Sequence, residues 1–244
     1  MTTENETYLR HISQSFNEEL SELKNQLLSM GGAVEQQISD AVEALVNLDS
    51  EEAERVRERD YEVDRMEVAI DEEAIRVIAL RQPAASDLRL VMSVIKMVAD
   101  LERIGDEAKK VAKLTLELVE DSKGNMPRGR VEVRNISRHV RAMVHDSLDA
   151  FARFDTDQAF TVMREDDAVD EEYKSAARAL MTYMMEDPRN ISGCMNQMWI
   201  LRALERVGDH ADNLAEHVIF MVRGTDVRHT TTNDIQAVLH QNGE

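Results

Sequence analysis

The feature that most constrains this chain is a hexapeptide that occurs twice, each time inside a predicted helix. Residues 101–106 have the sequence LERIGD, and residues 204–209 have the sequence LERVGD. A glycine inside a helix costs about 1 kcal/mol relative to alanine. Its presence at the same point of both copies therefore predicts that another part of the structure lies close to the backbone there.

The repeat extends well beyond the hexapeptide. A shift of 106 residues aligns seven identical residues between positions 44–64 and 150–170 without a gap, and a shift of 103 aligns the hexapeptides. The three-residue difference falls in a predicted loop, where insertions are tolerated. We therefore expect an all-α fold of two tandem, homologous three-helix bundles. With only 9 Gly and 3 Pro, the chain also has too little turn material for an all-β fold.

Apolar periodicity and helix-capping residues predict six long helices. They cover about residues 12–48, 50–80, 88–119, 131–154, 156–186 and 188–223. Asp49 and Asp155 each begin a predicted capping box, with Glu52 and Gln158 three residues later. The polar segment 121–130 contains two Gly and one Pro, which favours a linker. We place the domain boundary inside it, with domains at residues 1–123 and 124–244.

Charge and composition exclude several classes of function. A net charge of −19 argues against binding to nucleic acid and against direct docking on anionic lipid. Cys194 is the only cysteine, so no disulfide can form within the chain, which favours a reducing cytoplasm. No apolar run reaches the roughly 18 residues that a membrane span needs, and the polar N-terminus is not a signal peptide.

Each half contains two acidic pairs at i,i+4 spacing, on its second and third helices. The pairs are Asp60 with Asp64, Glu102 with Asp106, Asp166 with Asp170, and Glu205 with Asp209. Adjacent antiparallel helices can bring the two pairs of each half face to face. Carboxylates about 6 Å apart repel by roughly 3 kcal/mol at an effective dielectric of 20, so such a cluster needs a bound cation, protonation or an arginine partner. All-oxygen ligands suit hard ions such as Mg²⁺, Mn²⁺, Ca²⁺ or iron.

An ordinary solvated face is the alternative for these acidic pairs. With 48 acidic residues among 244, roughly nine such pairs arise by chance. Arg103 and Arg206 also offer positive charge to their neighbours. Recurrence at matched positions of two repeats favours the metal hypothesis, but no Glu-x-x-His motif supports a ferritin-like di-iron centre.

The fourth predicted helix carries a basic stripe that is rare in so acidic a chain. The stripe consists of Arg130, Arg134, Arg138 and Arg141. A solvated or ion-paired face is the favoured interpretation, with an anion or partner site as the alternative.

Three stretches and both hexapeptides together resemble the PhoU family of phosphate-signalling regulators. The stretches are MGGAVE at 30–35, RQP at 81–83 and SDLR at 86–89. The resemblance covers all but the terminal segments. It implies two homologous three-helix bundles, a homodimer, the bacterial cytoplasm, and metal clusters on the acidic pairs, with Mg, Mn, Fe or Zn as candidates. The family usually has Asn four residues after the Asp of the hexapeptide. Asn213 matches that pattern and Lys110 does not, so the resemblance implies a weaker first site.

The same resemblance implies a regulatory role without catalysis. PhoU-like proteins link the Pst-type phosphate importer, through its PstB-type ATPase subunit, to the PhoR sensor kinase. They repress the phosphate-starvation response and restrain uptake when phosphate is plentiful. Membrane association is then expected only through protein partners. The alternative is a metal-storage protein or a metal-dependent enzyme, although the chain has no P-loop, nucleophile motif or dinucleotide fingerprint.

Overall fold

The computed structural model describes residues 2–122, 129–228, 230 and 234–236, with the backbone alone for residues 2–13 and 122. All regular structure in these residues is helical. The long helices are α1 (Thr2–Asn47), α2 (Ser50–Arg81), α3 (Ala85–Ser122), α4 (Arg130–Arg153), α5 (Thr156–Glu186) and α6 (Ile191–Arg223), and a 3₁₀ turn (Pro188–Asn190) precedes α6. The predicted all-α class is confirmed. No helix in the described ranges is long and apolar enough to cross a bilayer.

Helix boundaries agree with the sequence except at three starts. The helix α1 begins at Thr2, about ten residues before the predicted start near Ile12, so the predicted polar arm is part of the helix. The helix α5 has the predicted bounds, whereas α3 begins at Ala85 rather than near Leu88. The segment Pro188–Asn190 forms a 3₁₀ turn before α6 instead of the first turn of that helix. The predicted linker at 121–130 overlaps the ends of α3 and α4, and its central residues 123–128 lie outside the described residues. The boundary between the domains at 123 and 124 lies there too, and stays a prediction.

The N-caps of α2 and α5 repeat each other closely. The Asp49 carboxylate accepts the backbone N–H groups of Glu51 and Glu52, both at 3.0 Å. The Asp155 carboxylate likewise accepts the backbone N–H groups of Asp157 and Gln158, both at 3.0 Å. The two aspartates have almost the same backbone angles, φ −89 with ψ 102 and φ −89 with ψ 100. This match in three dimensions confirms the 106-residue repeat as a structural one.

The predicted capping boxes are wrong in one contact. The side chains of Glu52 and Gln158 do not accept the backbone N–H groups of Asp49 and Asp155. The Asp49 N–H donates to the carbonyl of Ala44 at 2.8 Å, and the Asp155 N–H donates to the carbonyl of Ala150 at 2.9 Å. The preceding residues, Leu48 and Phe154, adopt left-handed backbone conformations. This turns the next N–H back onto the helix that is ending, so the side chain three residues after the cap has no N–H to accept.

The two halves pack against each other through antiparallel helices. Within the halves, α1, α2 and α3 pack together, as do α4, α5 and α6; between them, α1 packs on α4 and α3 on α6. The Ser93 hydroxyl of α3 donates to the His217 carbonyl of α6 at 3.4 Å. Near the other end of α3, the Ser192 hydroxyl donates to Asp121 at 2.7 Å. One continuous core of Leu, Ile, Val, Ala and Met residues results.

Gly31 explains how closely α1 and α4 approach. A Cβ atom there would lie 2.6 Å from Cδ1 of Leu148, a distance that requires Leu148 to move. The neighbouring Gly32 has no such restriction, since a Cβ atom there would meet nothing within 4 Å. The helix α1 continues through both glycines, so the pair marks a close contact and does not end the helix.

Candidate functional site

Each hexapeptide glycine lies against a neighbouring helix of its own half. A Cβ atom on Gly105 of α3 would lie 3.3 Å from Val63 of α2, and one on Gly208 of α6 would lie 3.4 Å from Val169 of α5. The two valines are themselves related by the 106-residue shift. The predicted close approach to both glycines is therefore confirmed, and the repeat preserves it.

The same approach brings the first acid of each pair beside the glycine backbone. Oδ1 of Asp60 lies 3.7 Å from the position that a Cβ atom would take at Gly105, and Oδ1 of Asp166 lies at the same distance from the position at Gly208. Asp60 is buried, whereas Asp166 is partly exposed. A Cβ atom on either glycine would be in ordinary van der Waals contact with the carboxylate, so the glycine backbone and the first acid are neighbours in both halves.

In the first half, the cluster is neutralised by a residue of its own chain. Oδ2 of Asp60 pairs with Nζ of Lys109 at 2.6 Å, and Oδ1 accepts a hydrogen bond from Gln37 at 2.8 Å. The hydrogen bond with Asp60 raises the pKa of Lys109, although burial opposes it. Nζ of Lys109 also lies 3.9 Å from Asp106. Both oxygens of the one buried carboxylate are thus occupied, and a cation would have to displace the lysine.

The other first-half acids lie nearer to solvent. Asp64 and Asp106 are exposed, and Glu102 is partly buried. Burial raises the pKa of Glu102, and the nearby charges of Asp106, Glu67 and Asp64 raise it further. These residues form a loose acidic face beside the Lys109–Asp60 pair.

In the second half, an acid takes the place of the lysine. The 103-residue shift aligns Lys109 with Asp212. Burial raises the pKa of Asp212 to about 8, with a further contribution from Asp166. Burial and the charge of Asp209 raise the pKa of Asp166 to about 6 and that of Glu205 to about 7. Burial and mutual repulsion thus make the charged forms of these carboxylates unfavourable, and no lysine of the described residues stands among them as Lys109 does in the first half.

Two carboxylate oxygens in this cluster are buried without a hydrogen-bond partner. They are Oε2 of Glu205 and Oδ1 of Asp212. The other Glu205 oxygen pairs with Arg202, and Asp170 lies 3.7 Å from Nζ of Lys174. Oxygen-only donors with unmet charge suit a hard cation. Within the described ranges, however, no three acidic, histidine or cysteine side chains already stand in a metal-ligating arrangement. A cation would require the carboxylates to turn toward it.

The predicted reason for asymmetry between the sites was wrong, because neither residue that carried it faces a cluster. Lys110 pairs with Glu107 at 3.1 Å, and Asn213 donates to Asp100 of α3 at 3.1 Å. The charge difference between the two clusters lies one residue earlier, at positions 109 and 212. Applying the repeat shift to every position after the hexapeptide would have identified it.

Asp100 instead organises a polar junction between the two halves. It lies 2.9 Å from Nδ1 of His210 and 3.3 Å from Nε2 of His217, both on α6. Although burial opposes the effect, hydrogen bonds from the two histidines and Asn213 lower the pKa of Asp100 to about 2. Both histidines are thus committed to the α3–α6 contact.

Comparison with known proteins matches both halves to one family. Residues 27–115 and residues 133–218 each match the profile described as the PhoU domain. The chain belongs to the PhoU family. Each PhoU match begins in the first helix of a half and ends in its third, so the duplicated bundle is the PhoU domain.

The similarity extends over nearly the whole chain. It is 58% identical over 224 residues, 92% of this chain and 87% of the other, to the phosphate-specific transport system accessory protein PhoU homolog of Pseudomonas putida. It is 47% identical over 230 residues, 94% of each chain, to the accessory protein PhoU of Escherichia coli strain K12. The crystal structure of PhoU from Pseudomonas aeruginosa superposes with a TM-score of 0.82 and 58% identity, covering 86% of this chain and 100% of that one.

Proposed function

We propose that this PhoU-family chain is a regulator that works with a phosphate transport system. The observation that carries the proposal is 58% identity over 92% of the chain to a protein named as an accessory of phosphate-specific transport. In finer detail, it would act as an adaptor between the PstB-type ATPase subunit of a Pst-type importer and a PhoR-type sensor kinase. It would repress the starvation response and restrain uptake when phosphate is plentiful. The family resemblance also supports a cytoplasmic homodimer that reaches the membrane through protein partners.

We further propose that the second acidic cluster binds a hard cation such as Mg²⁺, Mn²⁺, Fe or Zn²⁺. The candidate ligands are Asp166, Asp170, Glu205 and Asp209, with Asp212 as a fifth carboxylate. The unpaired oxygens of Glu205 and Asp212 support this site, since burying them without a partner is unfavourable. A cation would supply the missing positive charge and join α5 to α6.

The first cluster is a weaker candidate on the same chemistry. Its proposed ligands are Asp60, Asp64, Glu102 and Asp106. The ammonium group of Lys109 already occupies the position beside Asp60 that a cation would need. We therefore expect the two halves to differ in metal affinity even though their folds match.

Complementation tests the regulatory proposal. A strain that lacks its own PhoU-type gene should express a phosphate-starvation reporter in phosphate-rich medium, and this chain should restore repression. The acidic clusters supply matched variants, Glu205→Gln with Asp209→Asn and Glu102→Gln with Asp106→Asn. If the chain accumulates to normal levels and the reporter stays on, the regulatory proposal is wrong.

Copurification tests the adaptor role separately. Tagged protein should retain the cytoplasmic part of the kinase and the importer ATPase subunit. The experiment is done once with excess Mn²⁺ and once with a chelator. The Glu205→Gln, Asp209→Asn variant shows whether any effect of Mn²⁺ comes from the second cluster. If the chain represses the reporter but retains neither partner, the regulatory role would stand and the adaptor role would be wrong.

A further inference from the structure

A cleft between α1 and α4 lies apart from both acidic clusters. Its volume is about 510 Å³, which lies in the range of small-molecule sites. The lining residues that matter below are Gly32, Glu35, Ser39, Arg138, Arg141 and His145. Because a helix rises 1.5 Å per residue, the wall from Gly32 to Ser39 is about 10 Å long. His145 lies beside Glu35 and Leu148 beside Gly31, so antiparallel packing places the arginines toward the Ser39 end of the cleft and Gly32 toward the other.

Two arginines of the cleft have no acidic partner in the described part of the chain. Arg138 forms a hydrogen bond only within its own helix, to Asn135 at 3.1 Å. No ion pair joins Arg138 or Arg141 to any described carboxylate. The chain has 48 acidic and 29 basic residues, so positive charge would ordinarily be paired. Both side chains are exposed, so two guanidinium groups at one end of the cleft are available to bind an anion.

Gly32 is an independent indication of a ligand. Glycine is unfavourable inside a helix, and Gly31 has a packing reason because Leu148 lies against it. Gly32 has none, since a Cβ atom there would meet nothing within 4 Å. It lines the same cleft as the arginines. A ligand that approaches the α1 backbone would explain why no side chain stands there.

The far end of the cleft holds one acidic side chain, Glu35, and it is already paired with His145. Nδ1 of His145 lies 2.9 Å from Oε1 of Glu35, so these two groups satisfy each other. The apolar side chains of Ile38 and Val144 form part of the wall. The cleft therefore suits a ligand with an anionic group at one end and an uncharged, hydrogen-bonding body.

We propose that the α1–α4 cleft binds a phosphate monoester about the size of a nucleoside monophosphate. A phosphoryl group that carries nearly two negative charges matches two guanidinium groups, whereas a single carboxylate would leave one unbalanced. Inorganic phosphate would fill only the arginine end. The proposal rests on the cleft alone and does not require the phosphate-transport role.

A second cavity on the other face of α4 lacks this character. It has a similar volume, about 500 Å³, and shares Arg138, but Glu132 and Glu172 also line it. Its histidine, His139, lies 2.9 Å from Glu165. Acidic groups balance the positive charge there, so the anion site is assigned to the α1–α4 cleft.

Calorimetric titration with adenosine monophosphate tests the assignment. The wild-type chain should bind it saturably, and inorganic phosphate should bind at least tenfold more weakly. Arg138→Gln with Arg141→Gln should weaken binding by tenfold or more. Arg134→Gln is the matched control, because Arg134 is exposed on the same helix but does not line the cleft.

Gly32→Leu provides a second test that does not remove charge. Its side chain would enter the cleft and block the ligand while the helix continues, and circular dichroism would verify folding. Absence of saturable binding would overturn the proposal, as would equal binding of inorganic phosphate or unchanged affinity in the double arginine variant. Binding of an acidic peptide but not of the monophosphate would overturn the assigned ligand class.

Discussion

Replacing Asp212 by asparagine should stabilise the metal-free protein at neutral pH. Asp212 lies in the second cluster, with one buried oxygen that has no partner and a pKa raised to about 8. Asparagine has nearly the same volume and carries no charge to neutralise. The change therefore removes the cost of keeping this carboxyl group protonated and leaves the helix packing in place.

The sign follows from proton binding in the two states. An unfolded aspartate has a pKa of about 3.9, so between that value and about 8 the unfolded chain loses a proton that the folded chain keeps. Stability is then full below the unfolded pKa and falls as pH rises through the folded one. At pH 7 this pKa difference could lower the free energy of unfolding by at most about 4 kcal/mol. Solvent screens part of the repulsion, and the neighbouring carboxylates can take up part of it by binding protons themselves. We therefore expect Asp212→Asn to raise the free energy of unfolding by about 1 to 2 kcal/mol.

Thermal denaturation in the presence of a chelator measures this effect. For a chain of this size the gain corresponds to an increase in Tm of roughly 3 to 6 °C. The difference between variant and wild type should vanish near pH 4 and grow toward pH 8. Glu117→Gln is the control, since it also removes one negative charge but from an exposed position on α3. A difference in Tm that does not change with pH would mean that Asp212 does not carry the raised pKa.

Two further predictions concern charge in the first half and packing between the halves. Lys109→Met should destabilise the fold by about 1 to 3 kcal/mol in urea denaturation at neutral pH, because it leaves buried Asp60 without its cation; unchanged stability would mean that Lys109 is dispensable. Gly31→Ala should lower Tm because its methyl group would overlap Leu148, whereas Gly32→Ala should raise stability by up to about 1 kcal/mol. Effects of the same sign in the two alanine variants would contradict the α1–α4 packing.

Most of the fold follows from local signals that recur at a fixed shift. Asp49 and Asp155 are N-caps in both sequence and structure, because a carboxylate at that point can reach N–H groups within its own turn. The acceptor of the Asp49 N–H, the Ala44 carbonyl, could not be assigned in the same way, since this hydrogen bond depends on the left-handed turn at Leu48. The antiparallel contacts between halves join residues more than a hundred positions apart, as in Asp100 with His210. No local pattern encodes them.

The candidate site was predictable in its residue types but not in its charge balance. The four acidic pairs lie on adjacent helices as expected. The lysine that neutralises Asp60 follows the hexapeptide by three residues, and the sequence alone did not distinguish it from Lys110. Helix rotation decides which of two successive lysines faces the neighbouring helix, and that rotation is set by packing. The unpaired state of Arg138 and Arg141 likewise depends on which helices surround α4.

Titration of Mn²⁺ into the metal-free chain shows whether the two halves differ in metal binding. The two halves have matching folds, but their acidic clusters differ in charge, because lysine stands at position 109 and aspartate at position 212. Saturable binding should be lost with Glu205→Ala and Asp209→Ala, and retained with Glu102→Ala and Asp106→Ala. Asp212→Lys should abolish binding, and Lys109→Asp should add a second site. Equal effects of the two double variants, or no binding by the wild type, would contradict the account.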